Sequence, residues 1–508
     1  MMLQLDYFAD FVKALFSPFV DFITSVVPEN ILQGWLMSAP VIILILFALI
    51  ALVVGLRYNP LPVSFLGLIL SMLSMVIFDP AVYYGGQSFG GLFVRDAFSD
   101  FFVYIILIVG FLVLMSATLY GGDKGPYNFL LLVSFAGGMW VVMATDLVAL
   151  FLAWELMSTP TYVLVALSPR REGIDGATKY FVMGLLSTVL LIFGIALVYG
   201  VTGTTSLALS GAAVAAIWAN PVGFETAAYT LLLAMVLFVV SFGFKVGIFP
   251  GWQWVPDAYA AADGSVTSYL AGSSKKTGIS ALIRIMMLAF VAARTEWMPL
   301  IAAVSILTMI IGNVLALAQR DIMKMLAYSS IAMMGYLFVG VAAGTELGIT
   351  AAVFHAFIHA IMKTAAFILI WALSVRLSKK ITYDDLAGLG KRSPYVALML
   401  TVLILSLAGL PGTAGFLSKW IYLLGSAVGA NLWWLALILA INSVFSLGYY
   451  LRVLQYTYMI EPKDESKITL ARIPVVAVTA CVVAVVVLFF VPELVLAYAR
   501  QAAAVFFP

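Results

Sequence analysis

The sequence predicts an all-α integral membrane protein of about fourteen transmembrane helices, with two inverted five-helix repeats and two broken helices. Three observations carry that prediction. The 508 residues are 64% hydrophobic and 10% charged, with a mean hydropathy of +1.12, whereas a soluble domain carries roughly 25% charge. Apolar runs of membrane-crossing length follow one another from residue 36 to residue 492. Lysines lie inside those runs beside helix breakers: Lys245 shortly before Gly247 and Pro250, and Lys419 after Gly409, Pro411, Gly412 and Gly415. An ammonium in a bilayer costs about 3 kcal/mol or more, so it faces the protein interior and serves transport. Broken helices are tolerated there only where backbone is buried or lines a cavity.

Residues 1–30 carry Asp6, Asp10, Lys13, Asp21 and Glu29, spread too evenly for a signal peptide. Phe8, Phe11, Val12, Leu15, Phe16 and Phe19 recur there at helical spacing, which predicts an amphipathic segment on the membrane surface, with a weak first span as the alternative. The spans then run 36–56, 61–84, 101–121, 127–145, 147–168, 178–200 and 226–249. They continue 258–292, 298–318, 323–343, 348–378, 394–425, 431–458 and 472–492. Those at 258–292, 348–378 and 394–425 exceed one membrane thickness and predict breaks, tilts or extensions. The Gly/Ala/Thr-rich stretch 201–224 is the longest insertion on a polar side.

Domain organisation follows. Residues 1–126 hold the amphipathic segment and the first three spans, 127–293 the first five-helix repeat, and 298–458 the second. Residues 459–508 hold the last loop and span. Lysine precedes the proline in one broken helix and follows it in the other, as an inverted pair requires.

Loop charges set the topology. Loops after odd-numbered spans carry Arg57, Lys124, Arg170, Arg171, Arg320, Lys324, Arg376, Lys379, Lys380, Lys391, Arg392, Lys463, Lys467 and Arg472. Those after even-numbered spans offer little beyond Arg95 and Arg294. The positive-inside rule puts the odd loops in the cytoplasm and both termini outside. A net charge of +2, with no basic stripe outside short loops, argues against nucleic acid as a partner. The single cysteine, Cys481, cannot form an intrachain disulfide or hold an iron–sulfur cluster, and reads as a small packed hydrophobe.

Ionisable residues within the spans are few. Glu155 lies in the fifth span, Lys179 begins the sixth, Lys245 precedes the break of the seventh, and Lys275 and Lys276 lie in the eighth. The eleventh holds His355, His359 and Lys363, and Lys419 follows the break of the twelfth. Offsets of four and eight residues keep His355, His359 and Lys363 within a stripe ~80° wide. Such a stripe suits a proton relay, because protons hop only between groups in hydrogen-bond or water-bridged reach. Glu155 and Lys245 are expected to pair, since neither charge is tolerated alone at that depth. Lys276, and to a lesser degree Lys179, also suit snorkelling from helix ends. Arg284 suits either structural pairing or transport. His355-x-x-x-His359 has metal-ligand spacing, but no third intramembrane ligand accompanies it, so no metal is expected.

Several blocks resemble a known family. These are Trp154-Glu155-Leu156-Met157-Ser158, Thr178-Lys179-Tyr180-Phe181, Phe244-Lys245, Trp254-Val255-Pro256-Asp257-Ala258-Tyr259 and Leu326-Ala327-Tyr328-Ser329-Ser330-Ile331. Asp385-Leu386-Ala387-Gly388-Leu389 and Gly409-Leu410-Pro411-Gly412-Thr413-Ala414-Gly415-Phe416 complete the set. Over roughly residues 90–460 the chain resembles the antiporter-like subunits shared by respiratory complex I, Mrp-type sodium/proton antiporters and membrane-bound hydrogenases. Asp257-Ala258-Tyr259, Val198–Thr204 and Asn442–Arg452 make it most similar to the N-type subunit, the relative of mitochondrial subunit 2. Two features depart from that type: Pro250-Gly251-Trp252 stands where Pro-Phe-His is usual, and the His355/His359/Lys363 signature is commoner in the sister subunits. The second keeps an archaeal deazaflavin dehydrogenase or membrane-bound hydrogenase among the expectations, beside a Mrp-type antiporter.

The resemblance implies a proton-translocating membrane-arm subunit of a complex I-type donor:quinone oxidoreductase in a prokaryotic cell membrane. It implies proton-path roles for Glu155, Lys179, Lys245, Lys275 and Lys419, to which the stripe adds His355, His359 and Lys363. It also implies other membrane-arm subunits as partners. No cofactor is expected in this chain, and quinone, flavin and iron–sulfur clusters belong to partner subunits. No Gly-rich loop stands between a strand and a helix, so no nucleotide-dependent redox site is expected here either.

Overall fold

Why the chain forms long helices is visible at their starts. Asp96, Asp123, Asp146, Asp263 and Asp321 each accept backbone N–H bonds at a helix N-terminus, and Thr345 does the same. These caps satisfy donors that would otherwise be orphaned. A computed structural model describes residues 34–78, 87–168, 172–220, 223–462 and 464–507. The predicted N-terminal amphipathic segment, Arg170, Arg171 and Lys463 lie outside the described residues.

The first eight helices are α1 (Ala39–Gly55), α2 (Leu61–Ile77), α3 (Ala97–Ser116), α4 (Lys124–Met143), α5 (Leu147–Ala166), α6 (Glu172–Thr202), α7 (Leu207–Ala219) and α8 (Glu225–Val246). After them come α9 (Trp254–Ala261), α10 (264–288, with a π turn at Leu270–Ser274), α11 (Arg294–Leu317), α12 (Ile322–Ala343) and α13 (Glu346–Leu377). The chain ends with α14 (Pro394–Ala408), α15 (414–429, with a π turn at Leu417–Leu423), α16 (Trp433–Met459), α17 (Arg472–Phe490) and α18 (Glu493–Ala504). Among the described residues, ten helices are long and apolar enough to cross a membrane, and four more are apolar but shorter.

The three overlong spans resolve differently. Residues 258–292 become α9 and α10, separated at Ala262–Asp263. Residues 394–425 break between α14 and α15. The third is one continuous helix, α13, of 32 residues. The insertion at 201–224 contains an apolar helix, α7. Beyond the last predicted span, α18 buries Leu496, Ala499, Ala502 and Ala503, and Phe506 just after it stacks edge-on to Phe98 at 4.8 Å.

Loops after odd-numbered spans meet at one end of the bundle and loops after even-numbered spans at the other. At one end Lys380 pairs with Glu172 at 2.8 Å, Lys324 with Asp257 at 3.4 Å, and Asp321 bridges to Thr382. These residues belong to loops after the fifth, seventh, ninth and eleventh spans. At the other end Arg95 holds Asp100, Arg284 holds Asp96, and Arg294 donates to the Gly344 carbonyl. A two-stranded hairpin, β1 (Gln87–Ser88) and β2 (Phe93–Val94), closes that end.

Burial locates the centre. Within their membrane-crossing windows α12 and α13 are 94% buried, against 22% for α6. The His–Lys stripe therefore lies on the innermost helix of the bundle, and α6 lies on the perimeter.

Candidate functional site

Lys245 sits in the last turn of α8, 4% exposed. The helix stops two residues later because Gly247 takes left-handed backbone (φ 74°, ψ 43°), its N–H bonding to the Gly243 and Phe244 carbonyls. The Lys245 ammonium donates to the Tyr180 hydroxyl at 2.5 Å and to Thr161 Oγ1 at 3.3 Å, and those two oxygens are 2.9 Å apart. Trp254 stacks on Tyr180 at 4.0 Å and donates its indole N–H to the Phe244 carbonyl at 2.6 Å. A cavity of about 10 Å³ lies among Trp154, Tyr162, Tyr180, Gly184, Ser187, Phe244, Lys245 and Trp254. That volume is near the smallest that holds one water.

The break leads to the next lysine. A Cβ at Gly247 would lie 3.2 Å from Lys275 Nζ, so the missing side chain leaves the space that Lys275 occupies. Lys275 is fully buried over the Tyr259 ring at 5.3 Å and has no hydrogen-bond partner among the described residues. Across from it, α13 presents three fully buried groups. Lys363 donates to the Leu326 carbonyl at 3.0 Å and to Ser329 Oγ. His359 has neither ring nitrogen bonded, and its ring lies 6.0 Å from that of His355. His355 Nδ1 is 3.0 Å from Ser418 Oγ, the residue before Lys419.

Lys419 lies in the π turn that opens α15, 1% exposed. Its ammonium donates to the Leu407 and Ala408 carbonyls, each at 3.3 Å, at the severed end of α14. It also lies 4.6 Å above the Tyr336 ring. Tyr336 is held by Asn313 at 3.0 Å, and Asn313 in turn by the Tyr449 hydroxyl at 2.9 Å.

Two expectations need correction. Glu155 and Lys245 form no direct ion pair: Glu155, half-buried, accepts from Thr188 Oγ1 at 2.6 Å, while Lys245 is turned to hydroxyls. Thr161, one of the Lys245 partners, is six residues beyond Glu155, about 9 Å along α5, which separates the two charges. Lys276 does not snorkel: it is 1% exposed and donates to the Ala271 carbonyl. Lys179 lies on the outside of α6, paired with Asp257 at 2.7 Å, with its side chain 61% exposed. Burial alone would raise the Asp257 carboxyl, but Lys179 and Lys324 beside it hold it below the usual carboxylate range. Arg284 is a structural pair, both of its terminal nitrogens 2.9 Å from Asp96.

The structure thus brings Lys245, Lys275, His355, His359, Lys363 and Lys419 into one buried file and leaves Lys179 at its edge. Among the described residues none of the file's lysines has a carboxylate at ion-pair distance. Counting Lys276, five buried lysines share that interior without an ion-pair partner among the described residues, an arrangement costly for fixed charge. Sequence reasoning missed Tyr180, Thr161, Tyr336, Ser329 and Ser418 as partners of the file. The signal was there for Tyr180 and Ser329, which fall inside blocks where small polar or aromatic residues interrupt apolar runs.

The family described as NADH:quinone oxidoreductase/Mrp antiporter, TM, matches residues 144–446. F(420)H(2) dehydrogenase subunit N of Methanosarcina mazei is 33% identical over 501 residues, covering 94% of this chain and 100% of the relative. NADH-quinone oxidoreductase subunit N of Trichlorobacter lovleyi is 36% identical over 424 residues, covering 82% and 85%. A chain of respiratory complex I from Thermus thermophilus, solved with bound aureothin, superposes with a TM-score of 0.75 at 26% identity, covering 90% of this chain and 98% of that one. A chain of an archaeal membrane-bound sulfane sulfur reductase has the same fold, with a TM-score of 0.81 at 24% identity and coverage of 93% and 97%.

Proposed function

We propose a function on one premise: the chain belongs to the NADH:quinone oxidoreductase/Mrp antiporter transmembrane family. It is an antiporter-like membrane subunit of the N type, part of a multisubunit complex, and in our reading it carries protons while electron transfer happens elsewhere. Quinone, flavin and iron–sulfur clusters are assigned to partner subunits. The electron donor is NADH or a reduced deazaflavin, the two chemistries named for its relatives. We assign the end bearing Lys324, Lys379 and Lys380 to the cytoplasm and the termini to the outside.

In this mechanism a proton reaches Lys245 through the Tyr180–Thr161 hydroxyl pair and its water-sized cavity. It crosses the Gly247 gap to Lys275, enters the His359, Lys363 and His355 group, and leaves through Ser418 and Lys419. Buried lysine suits the work because it changes protonation state readily when its surroundings change. Glu155 acts on Lys245 at a distance, without touching it. Lys179 and Asp257 guard the cytoplasmic approach, and the stretches 127–293 and 298–458 serve as two half-channels.

The observation that supports this reading most is the series of buried bases between the two helix breaks, none of whose lysines has a carboxylate at ion-pair distance among the described residues. Its test is Lys245→Ala and Glu155→Ala in the whole complex, in inverted membrane vesicles. Lys245→Ala is expected to lose about 100-fold or more in redox-driven proton uptake, the scale of a lost proton-transfer group. Glu155→Ala should lose less, because it acts through space. Normal uptake in Lys245→Ala at normal abundance of the complex would sink the reading.

A further inference from the structure

Lys276 has no place in the file as derived above, yet it is built into its centre. Every residue of α10 from Lys275 to Met287 is buried, as is every residue of the π turn before it. Lys276 lies about 18 Å from either end of α10, beyond the reach of a snorkelling side chain. Among the described residues its hydrogen-bond partner is the Ala271 carbonyl, inside the π turn. A neutral carbonyl is poor compensation for a buried ammonium, and a purely structural role would be served better by an apolar side chain of similar length.

Its surroundings are the relay. The π turn packs directly on α13 beside Lys363: a Cβ on Gly272 would lie 2.0 Å from Thr364 Oγ1. Thr364 directly follows Lys363, and His359 lies one helical turn before Lys363 on the same helix. Lys275 Nζ, Ser273 Oγ, His355 Nε2 and both His359 ring nitrogens are buried without hydrogen-bond partners among the described residues. Orphaned polar atoms gathered in one interior call for bridging water. π turns are also over-represented at functional sites, where they re-aim the residues that follow.

We propose that Lys276 is a further proton-carrying residue, the link between Lys275 and the His355–His359–Lys363 group. The proposal rests on the relay reading above. In the step it describes, the neutral Lys276 amine takes a proton from the Lys275 ammonium through bridging water and gives one, again through water, to a His359 nitrogen. One N–H bond breaks and one forms at each transfer, and no electrons move.

The experiment compares Lys276→Met, Lys276→Arg and Lys276→His, with Lys245→Met as a reference, in the intact complex in inverted vesicles. Proton uptake is driven by NADH or by reduced deazaflavin, whichever the membranes oxidise, and is normalised to assembled complex. Lys276→Met and Lys276→Arg should each lose about tenfold or more, because neither side chain can accept and release a proton. Lys276→His, which can, should keep clearly more uptake than Lys276→Arg. Wild-type uptake in Lys276→Arg would overturn the proposal, because a fixed donor to Ala271 would then suffice. Wild-type uptake in Lys276→Met would overturn it as well. Loss in Lys245→Met alone leaves the relay standing and removes Lys276 from it, whereas uptake preserved in Lys245→Met fails the relay itself. If the Met variant does not assemble, the Arg–His contrast among assembled complexes decides.

Discussion

The two helix breaks are capped by the same motif and hold their lysines in opposite ways. Gly247 and Gly409 share left-handed backbone (φ 74° and 80°), and the next residue in each case bonds back five positions, Ile248 to Gly243 and Leu410 to Leu405. Lys245 stands before its break and meets two hydroxyls and a water-sized cavity. Lys419 stands after its break and meets two backbone carbonyls and an aromatic face. Hydroxyls can both accept and donate a proton, whereas carbonyls and π faces only stabilise a cation. In the proposed relay, one backbone device thus serves two tasks: Lys245 would pass protons on, and Lys419 would hold one until the neighbouring His355–Ser418 contact draws it away.

The strongest way to break this comparison is arginine at each lysine. Lys245→Arg should abolish redox-driven proton uptake, since guanidinium neither titrates nor fits the Tyr180–Thr161 pair. Lys419→Arg should lose about tenfold, because its carbonyl partners accept guanidinium but its proton cannot leave. Uptake measured in vesicles at matched abundance decides the matter. Wild-type behaviour of Lys419→Arg would make that residue a fixed charge and put the outlet elsewhere.

Alanine at each glycine sharpens the comparison at the level of packing. Left-handed backbone costs a Cβ-bearing residue about 1–2 kcal/mol at either site. At Gly247 the new Cβ would also lie 2.5 Å from Val255 Cγ2, while at Gly409 its nearest neighbour, Trp420 Nε1, is 3.2 Å away. Thermal unfolding of the purified complex should therefore fall further for Gly247→Ala than for Gly409→Ala. Equal losses would mean that Val255, beside the first break, gives way easily.

The smallest effect is expected at the surface end of the first half. Asp257→Asn removes the carboxylate shared by Lys179 and Lys324. Both partners are exposed and screened, so uptake should drop a few-fold at most, and less at high salt. The lowered Asp257 pKa sets the sign with pH. Its contribution is complete above the ordinary carboxylate range and fades as pH falls through the lowered value, so wild type and Asp257→Asn should converge only in strong acid. A difference that instead vanished near neutral pH would show that another group controls Lys179.

Much was legible before the fold. Membrane class, the order of the spans, both helix breaks and the segregation of loop charges follow from hydropathy, glycine, proline and lysine positions, because a bilayer leaves few alternatives for satisfying backbone groups. The residue types at Lys245, Lys275, His355, His359, Lys363 and Lys419 were equally plain, being charges where charge is costly. What only the tertiary structure decided was contact. Glu155 and Lys245 read as a pair, yet the α5–α6 packing gives Glu155 to Thr188 and turns Lys245 to Tyr180. Lys276 read as a snorkelling residue, yet the helices packed around α10 leave it no surface to reach. Spacing along one chain places a side chain on a face, but which groups meet it depends on helices brought there from distant sequence. A side chain's position along its own helix is local information, and its partners are not.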